Sequence, residues 1–226
     1  MSLKKLASSS LGRKYFMAVS GLALIGFLFT HLLGNALLFL GPDLFNEYSH
    51  ALTSNPLIYV AEAILLTIFF VHILTAILLT KKNKEARGEV AYLSDEKAGG
   101  KSRKSLSSST MIYSGVVILI FLVYHIYSVK YGAYYATMIE GVEVRDIYRL
   151  LIEELSNPVV LTGYIIAMLL LGMHLAHAFS SALQSMGFNH SRYNKQIMCA
   201  GKAIAFGLSA GFILVAVYAA RKGGLL

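Results

Sequence analysis

Residues 159–183 read "VVLTGYIIAMLLLGMHLAHAFSSAL", a run with no Asp, Glu, Lys or Arg. A helix that crosses the hydrocarbon of a bilayer needs about 20 predominantly apolar residues. The stretch therefore decides the fold, because it reads as a membrane span. It also holds two imidazoles, His174 and His177, one helical turn apart. Polar side chains at membrane depth face the interior of a bundle and mark function more often than not.

Four further apolar runs lie at 15–40, 57–80, 111–129 and 203–220. The first is too long for the core of a signal peptide and lacks a small-x-small cleavage pattern, so it reads as a retained span. The whole 226-residue chain agrees, with 56% hydrophobic and 14% charged residues and a mean hydropathy of +0.62. Soluble domains carry about 25% charge. The expected fold is an all-α membrane protein, a single domain over 1–226, with five transmembrane helices in a bundle.

The net charge of +8 reports topology rather than a nucleic-acid surface. Most of the 20 Lys and Arg lie at the N-terminus, in the loop 81–110 and in the loop 184–202. The opposite side holds Lys130, Arg145, Arg149, Arg221 and Lys222. Basic loops stay in the cytoplasm, so the N-terminus is expected inside and the C-terminus outside. The polar segments 81–110 and 130–157 are each too short to hold a core alone, since about 40 residues are needed without staples. The outer one contains "RDIYRLLIEEL", residues 145–155, whose Ile147, Leu150, Leu151 and Leu155 share one helical face. It reads as an interfacial helix lying on the membrane. No phosphate-binding loop, dinucleotide fingerprint or nucleophile elbow occurs. Any soluble catalytic domain must come from a partner.

Of seven histidines, five fall inside spans: His31, His72, His125, His174 and His177. Depth sorts them at 1.5 Å per residue. His72 is about 13 Å from the inner charge boundary at Lys81, and His174 about 15 Å from Gln184. His125 is about 8 Å from the outer boundary at Lys130, and His31 about 26 Å from Lys14. Two levels emerge, an inner one with His72 and His174 and an outer one with His31 and His125. Depth alone leaves His177 level with His72 as well, about 10 Å from Gln184. Two opposed imidazoles at one level suit the axial positions of a haem iron. Zinc wants three or four protein ligands, and a proton relay would mix acids with the histidines. The single cysteine, Cys199, excludes an internal disulfide and a Cys-ligated cluster within this chain. Met168 and Met173 stay open as ligands, although methionine in an apolar helix is usually filler.

Four segments carry a family resemblance. They are "SSSLGRKYFMAVSGLALIGFLFTHLLGNALLFLGPDLFNEYSHAL" (8–52), "NPLIYVAEAILLTIFFVHI" (55–73), "FLVYHIYS" (121–128) and "HLAHAFSSALQSMGF" (174–188). In order, over nearly the whole chain, they resemble the cytochrome b membrane anchor of succinate dehydrogenase and fumarate reductase, of the single-polypeptide, five-helix, two-haem kind. The most specific element is "HLLGN", residues 31–35, after a Gly-rich first span. The resemblance implies two haem b groups, the outer on His31 and His125 and the inner on His72 and His174. It thereby prefers His174 over His177, which is left as a propionate contact or an interhelical hydrogen bond. It implies menaquinone or another quinone as substrate near the outer haem. It also implies an FAD flavoprotein and an iron–sulfur subunit on the cytoplasmic face, in a bacterial cytoplasmic membrane.

Glu62 is the one carboxylate inside a span, about 15 Å outward of His72. With a quinone at that level it is expected to exchange protons with it, the alternative being an idle acid at the interface. Gly21, Gly26, Gly34, Gly115, Gly163 and Gly172 leave room either for porphyrins or for close helix packing. Two other readings remain at this stage. One is a dihaem anchor for a hydrogenase or formate dehydrogenase. The other is a haem-free transporter or structural anchor.

Overall fold

The computed structural model describes residues 9–85, 111–188, 190 and 192–226. The element order follows from caps and breakers. Helix α1, Ser10–Ala36, starts where the Ser9 hydroxyl accepts from the Gly12 amide at 3.0 Å, a common way to satisfy a free helical N–H. It tightens into a 3-10 turn at Leu37–Leu40 and stops at Gly41, whose φ of 110° suits glycine. Helix α2, Pro42–Thr53, follows with proline in its first turn. Helix α3 is Leu57–Glu85, and α4 is Met111–His125, extended by one π-helical turn over Ile126–Lys130. A hairpin of β1, Ala136–Ile139, and β2, Val142–Arg145, pairs Ile139 with Val142. Its two-residue turn, Glu140–Gly141, has both φ angles positive, as tight hairpins require. Helix α5, Ile147–Leu155, is capped by the Asp146 carboxylate, which accepts from the Arg149 amide. Helix α6 is Pro158–Ser185 and α7 is Asn194–Lys222.

Helices α1, α3, α4, α6 and α7 are the five long and apolar enough to cross a membrane. They lie where the apolar runs predict. The last extends further toward the N-terminus than 203, because Gln196 and Lys202 ride on its polar first turns. Of the loop 81–110, residues 86–110 lie outside the described residues. The two most closely packed helices are α6 and α7; α1 packs on α3, α6 and α7, and α4 packs on α6. Small residues bring α6 and α7 together. A Cβ at Gly172 would lie 3.0 Å from the Ser209 Cβ, and the Ser209 hydroxyl donates to the Met168 carbonyl at 2.7 Å. By contrast α3 packs mainly on α1 and leaves Tyr59 and Leu66 71% exposed. Such an apolar surface would be a liability in water and costs nothing in lipid. The chain is a multi-pass, all-α membrane protein.

One end of the bundle is capped by α2, the hairpin and α5; the other, with the starts of α1 and α7, is the basic end. The helix expected at residues 145–155 is present, but its apolar face is not turned to lipid. Leu151 and Leu155 are buried with Leu38, Phe45, Leu161, Tyr164 and Val215, and Leu150 is buried as well. The mouth of the bundle offers that face a drier partner than the membrane interface does. Helix α2, which hydropathy does not announce, supplies Phe45 and the fully buried Asn46. The Asn46 amide nitrogen donates to Asp146 Oδ1 at 2.8 Å and its carbonyl oxygen accepts from the Tyr148 amide at 2.9 Å. Elsewhere on this cap the Arg149 guanidinium lies over the Tyr135 ring and bonds Glu153 at 2.8 Å. Hydrogen bonds from Tyr135 and Arg149 hold the Glu153 carboxyl below its ordinary range.

Asn46→Ala leaves Asp146 and the Tyr148 amide short of partners in a dry site, so it should destabilise the cap by about 1–3 kcal/mol. Thermal unfolding of the detergent-solubilised protein, with proteolysis between α2 and α5 as a local readout, checks this.

Candidate functional site

The five spans bring four histidine rings into two opposed pairs. His31 of α1 faces His125 of α4, ring centres 6.0 Å apart and planes at 82°. His72 of α3 faces His174 of α6, ring centres 6.5 Å apart and planes at 60°. Ser20, which contacts His72, and His31 lie on one stripe of α1, and eleven residues of helix separate the two levels by about 16 Å. The ring that meets His72 belongs to His174. His177 lies outside the pair; its carbonyl accepts from the Ser180 hydroxyl at 3.3 Å. Met168 is buried among Leu171, Leu175, Ala205 and Leu208 as packing.

Each ring is held by its surroundings. His72 Nδ1 lies 3.2 Å from the Ser20 hydroxyl, His174 Nδ1 lies 3.0 Å from the Ser114 hydroxyl, and His125 Nδ1 lies 3.0 Å from the Tyr164 hydroxyl. His31 differs, with its Nε2 3.4 Å from the Asn35 amide nitrogen. Phe27 stacks on His31 and Phe121 on His125, each one turn earlier on the same helix. Ser20, Ser114 and Tyr164 are functional candidates that the sequence reading passed over.

The glycines divide. A Cβ at Gly21 would lie 3.5 Å from His72 Cε1, and one at Gly115 would lie 3.6 Å from His174 Cε1. These two let a neighbouring backbone come up to a ring. Gly34 instead receives Tyr48, and Gly172 receives Ser209, as packing. Gly26 and Gly163 have nothing within 4 Å of that position.

Among the described residues no three His, Cys, Asp or Glu side chains gather to hold a metal ion. The histidines come in twos, which is the donor set of an iron whose other four ligands come from a porphyrin. Metal–imidazole bonds run about 2.0–2.1 Å, and roughly 1.1 Å more reaches each ring centre. Two axial rings therefore stand about 6.3 Å apart, centre to centre. The 6.0 and 6.5 Å spacings bracket that figure, so the spacing of the two pairs suits the group.

Glu62 sits at the capped end and forms an ion pair with Lys130, at the end of the π-helical turn. Both side chains are partly open to the surroundings, and among the described residues the carboxylate's hydrogen-bond partner is Lys130 rather than a histidine. A second acid approaches this end: Glu154 of α5 accepts a hydrogen bond from the Tyr124 hydroxyl. The chain matches no protein-family model, no curated protein and no solved structure.

Proposed function

We propose that the chain is the dihaem cytochrome b membrane anchor of a succinate:quinone oxidoreductase, carrying electrons between an iron–sulfur subunit and membrane quinone. The observation that carries the reading is the meeting of four imidazoles, from four different spans, in two opposed pairs at 6.0 and 6.5 Å. His31 and His125 hold the outer haem, and His72 and His174 the inner. When bound, the haems supply reversible one-electron chemistry, with potentials tuned by ligand identity and by hydrogen bonds around the ligands.

The chain's own residues do the rest. The imidazoles offer neutral nitrogen ligands without adding charge to the hydrocarbon. Ser20, Ser114 and Tyr164 bond the Nδ1 edges and set the rotation of three rings, as residues behind metal-binding histidines usually do. The four imidazoles are half-buried between the spans that carry them. Glu62, beside Lys130 at the capped end, exchanges protons with the quinone, menaquinone by resemblance. The assignment to succinate rests on the resemblance of residues 8–52, 55–73, 121–128 and 174–188. On that basis an FAD flavoprotein and an iron–sulfur subunit dock on the basic, cytoplasmic end, in a bacterial cytoplasmic membrane.

The purified complex should show two low-spin b-type haems per chain and succinate–quinone activity. His72→Ala and His174→Ala should remove the same haem, and His31→Ala and His125→Ala the other, as read by low-temperature absorption and electron paramagnetic resonance. A colourless protein overturns the reading, and shared loss between His72→Ala and His31→Ala overturns the pairing. Glu62→Gln should keep both haems and slow quinone turnover by roughly 10²-fold, the lower end for a lost acid–base group. An unchanged rate would remove Glu62 from the mechanism.

A further inference from the structure

The ligand helices repeat one another. Residues 17–31, "MAVSGLALIGFLFTH", align without gaps on residues 111–125, "MIYSGVVILIFLVYH". Met, Ser, Gly, Phe, Leu and His coincide, at 17, 20, 21, 27, 28 and 31 in α1 and at 111, 114, 115, 121, 122 and 125 in α4. The helices that follow also correspond. Ser54-Asn55-Pro56 precedes His72 by the interval at which Ser156-Asn157-Pro158 precedes His174.

The structure repeats the detail. Asn55 Oδ1 accepts from the Leu57 amide at 3.0 Å, and Asn157 Oδ1 accepts from the Val159 amide at 2.9 Å. Phe27 stacks on His31 at 18° and Phe121 on His125 at 19°. Ser20 of α1 meets His72 of α3, and Ser114 of α4 meets His174 of α6. Gly21 and Gly115 lie against Cε1 of the same two rings. Each hairpin, α1 with α3 and α4 with α6, is thus one unit. Helices α1 and α4 run in the same direction, as in parallel membrane repeats, although the close packing of α1 on α6 is not matched by α3 on α4. Each opposed pair is made of equivalent residues, so a ligand between the two rings meets the same side chain on both faces.

The serines carry a chemical consequence. The Ser20 hydroxyl donates to the Phe16 carbonyl at 2.7 Å, and the Ser114 hydroxyl donates to the Met111 carbonyl at 3.1 Å. A serine has one proton to give. With it committed to the backbone, the oxygen faces the imidazole only as an acceptor. A ring protonated on Nδ1 matches that acceptor, and this tautomer leaves the Nε2 lone pair as the free donor to a metal.

We infer that Ser20 and Ser114 are equivalent positioning residues for one planar metal macrocycle. Each accepts from Nδ1–H of the histidine on the other helix of its hairpin, fixing the tautomer and rotation in which His72 and His174 ligate through Nε2. The inference rests on the dihaem reading and adds to it which residues set up the inner level. Losing the acceptor makes each ring less basic, which weakens its hold on ferric iron and raises the potential of that centre.

The test compares the intact complex carrying wild-type chain, Ser20→Ala, Ser114→Ala, the double variant and Ser114→Thr. Haem content, low-spin resonance signals and redox titration are the readouts. Each alanine variant should release one haem about 10- to 100-fold more readily, the usual cost of losing such a partner. The same haem should titrate at higher potential with a shifted signal, and the other haem should be unchanged. Both single variants should affect the haem that His72→Ala removes, and Ser114→Thr should behave as wild type. Two unaltered haems in both alanine variants overturn the inference and leave the dihaem reading intact. Equal loss of both haems also overturns it, because the serines serve one level. A wild-type complex without haem overturns the dihaem reading itself.

Discussion

An imidazole placed in hydrocarbon needs both ring nitrogens satisfied, one as donor and one as acceptor. That constraint organises this protein. At the inner level Nδ1 of His72 and of His174 faces a serine oxygen on an adjacent helix, 3.2 and 3.0 Å away, the acceptor inferred for an Nδ1–H. Two such rings facing each other cannot satisfy one another, since both then present a lone pair. In the proposed reading, a metal held between them resolves the conflict. The architecture serves that demand: α1 and α6 are central to the bundle, α7 packs behind them, and α3 and α4 lean on one central helix each.

Helix α7 shows how support is separated from chemistry. It contributes no ligand to the pairs, although Phe212 rests against the His31 ring with centres 5.9 Å apart. Its small residues, Ala205, Ala216, Ala219 and Ala220, are almost wholly buried. Close contact with α6 holds that helix rigid, and with it His174 and Tyr164. The cap does the same from the end, where Leu151 and Leu155 pack with Tyr164 in one cluster. A ligand site is only as well defined as the shell behind it.

Much of this is legible in the sequence. The five spans follow from length and hydropathy, and the two histidine levels from counting helical rise. Four features are harder to read. Helix α2 is short and mixed in character, and what fixes it is the buried Asn46, whose partners Asp146 and Tyr148 lie far along the chain. The leucine face of α5 reads equally well as a lipid surface or a protein surface, and only the open mouth of the bundle decides. Choosing His174 over His177 needs the rotation of α6, which depth does not contain. Ser20 and Ser114 are small, common residues in an apolar run, where serine usually bonds its own helix. What distinguishes them is the Ser-Gly-to-His spacing repeated in two spans, a signal visible only when the chain is compared with itself.

The repeat is as informative where it fails. Under the same alignment Glu62 of α3 corresponds to Tyr164 of α6, and Thr75 to His177. Tyr164 reaches the Nδ1 of His125, whereas Glu62 turns to Lys130. His31 has the Asn35 amide near its Nε2, and the π-helical turn after His125 shifts the end of α4 with no counterpart after α1. The inner pair therefore keeps the two-fold arrangement, down to the serine behind each ring, and the outer pair loses it. Passing an electron needs a held metal and no more, and a symmetric setting suffices. Reducing or oxidising a quinone also moves protons, which requires groups of different chemistry on different sides of one substrate. A phenol on one unit and a carboxylate with its lysine on the other supply that difference at the capped end, where the proposed proton chemistry belongs.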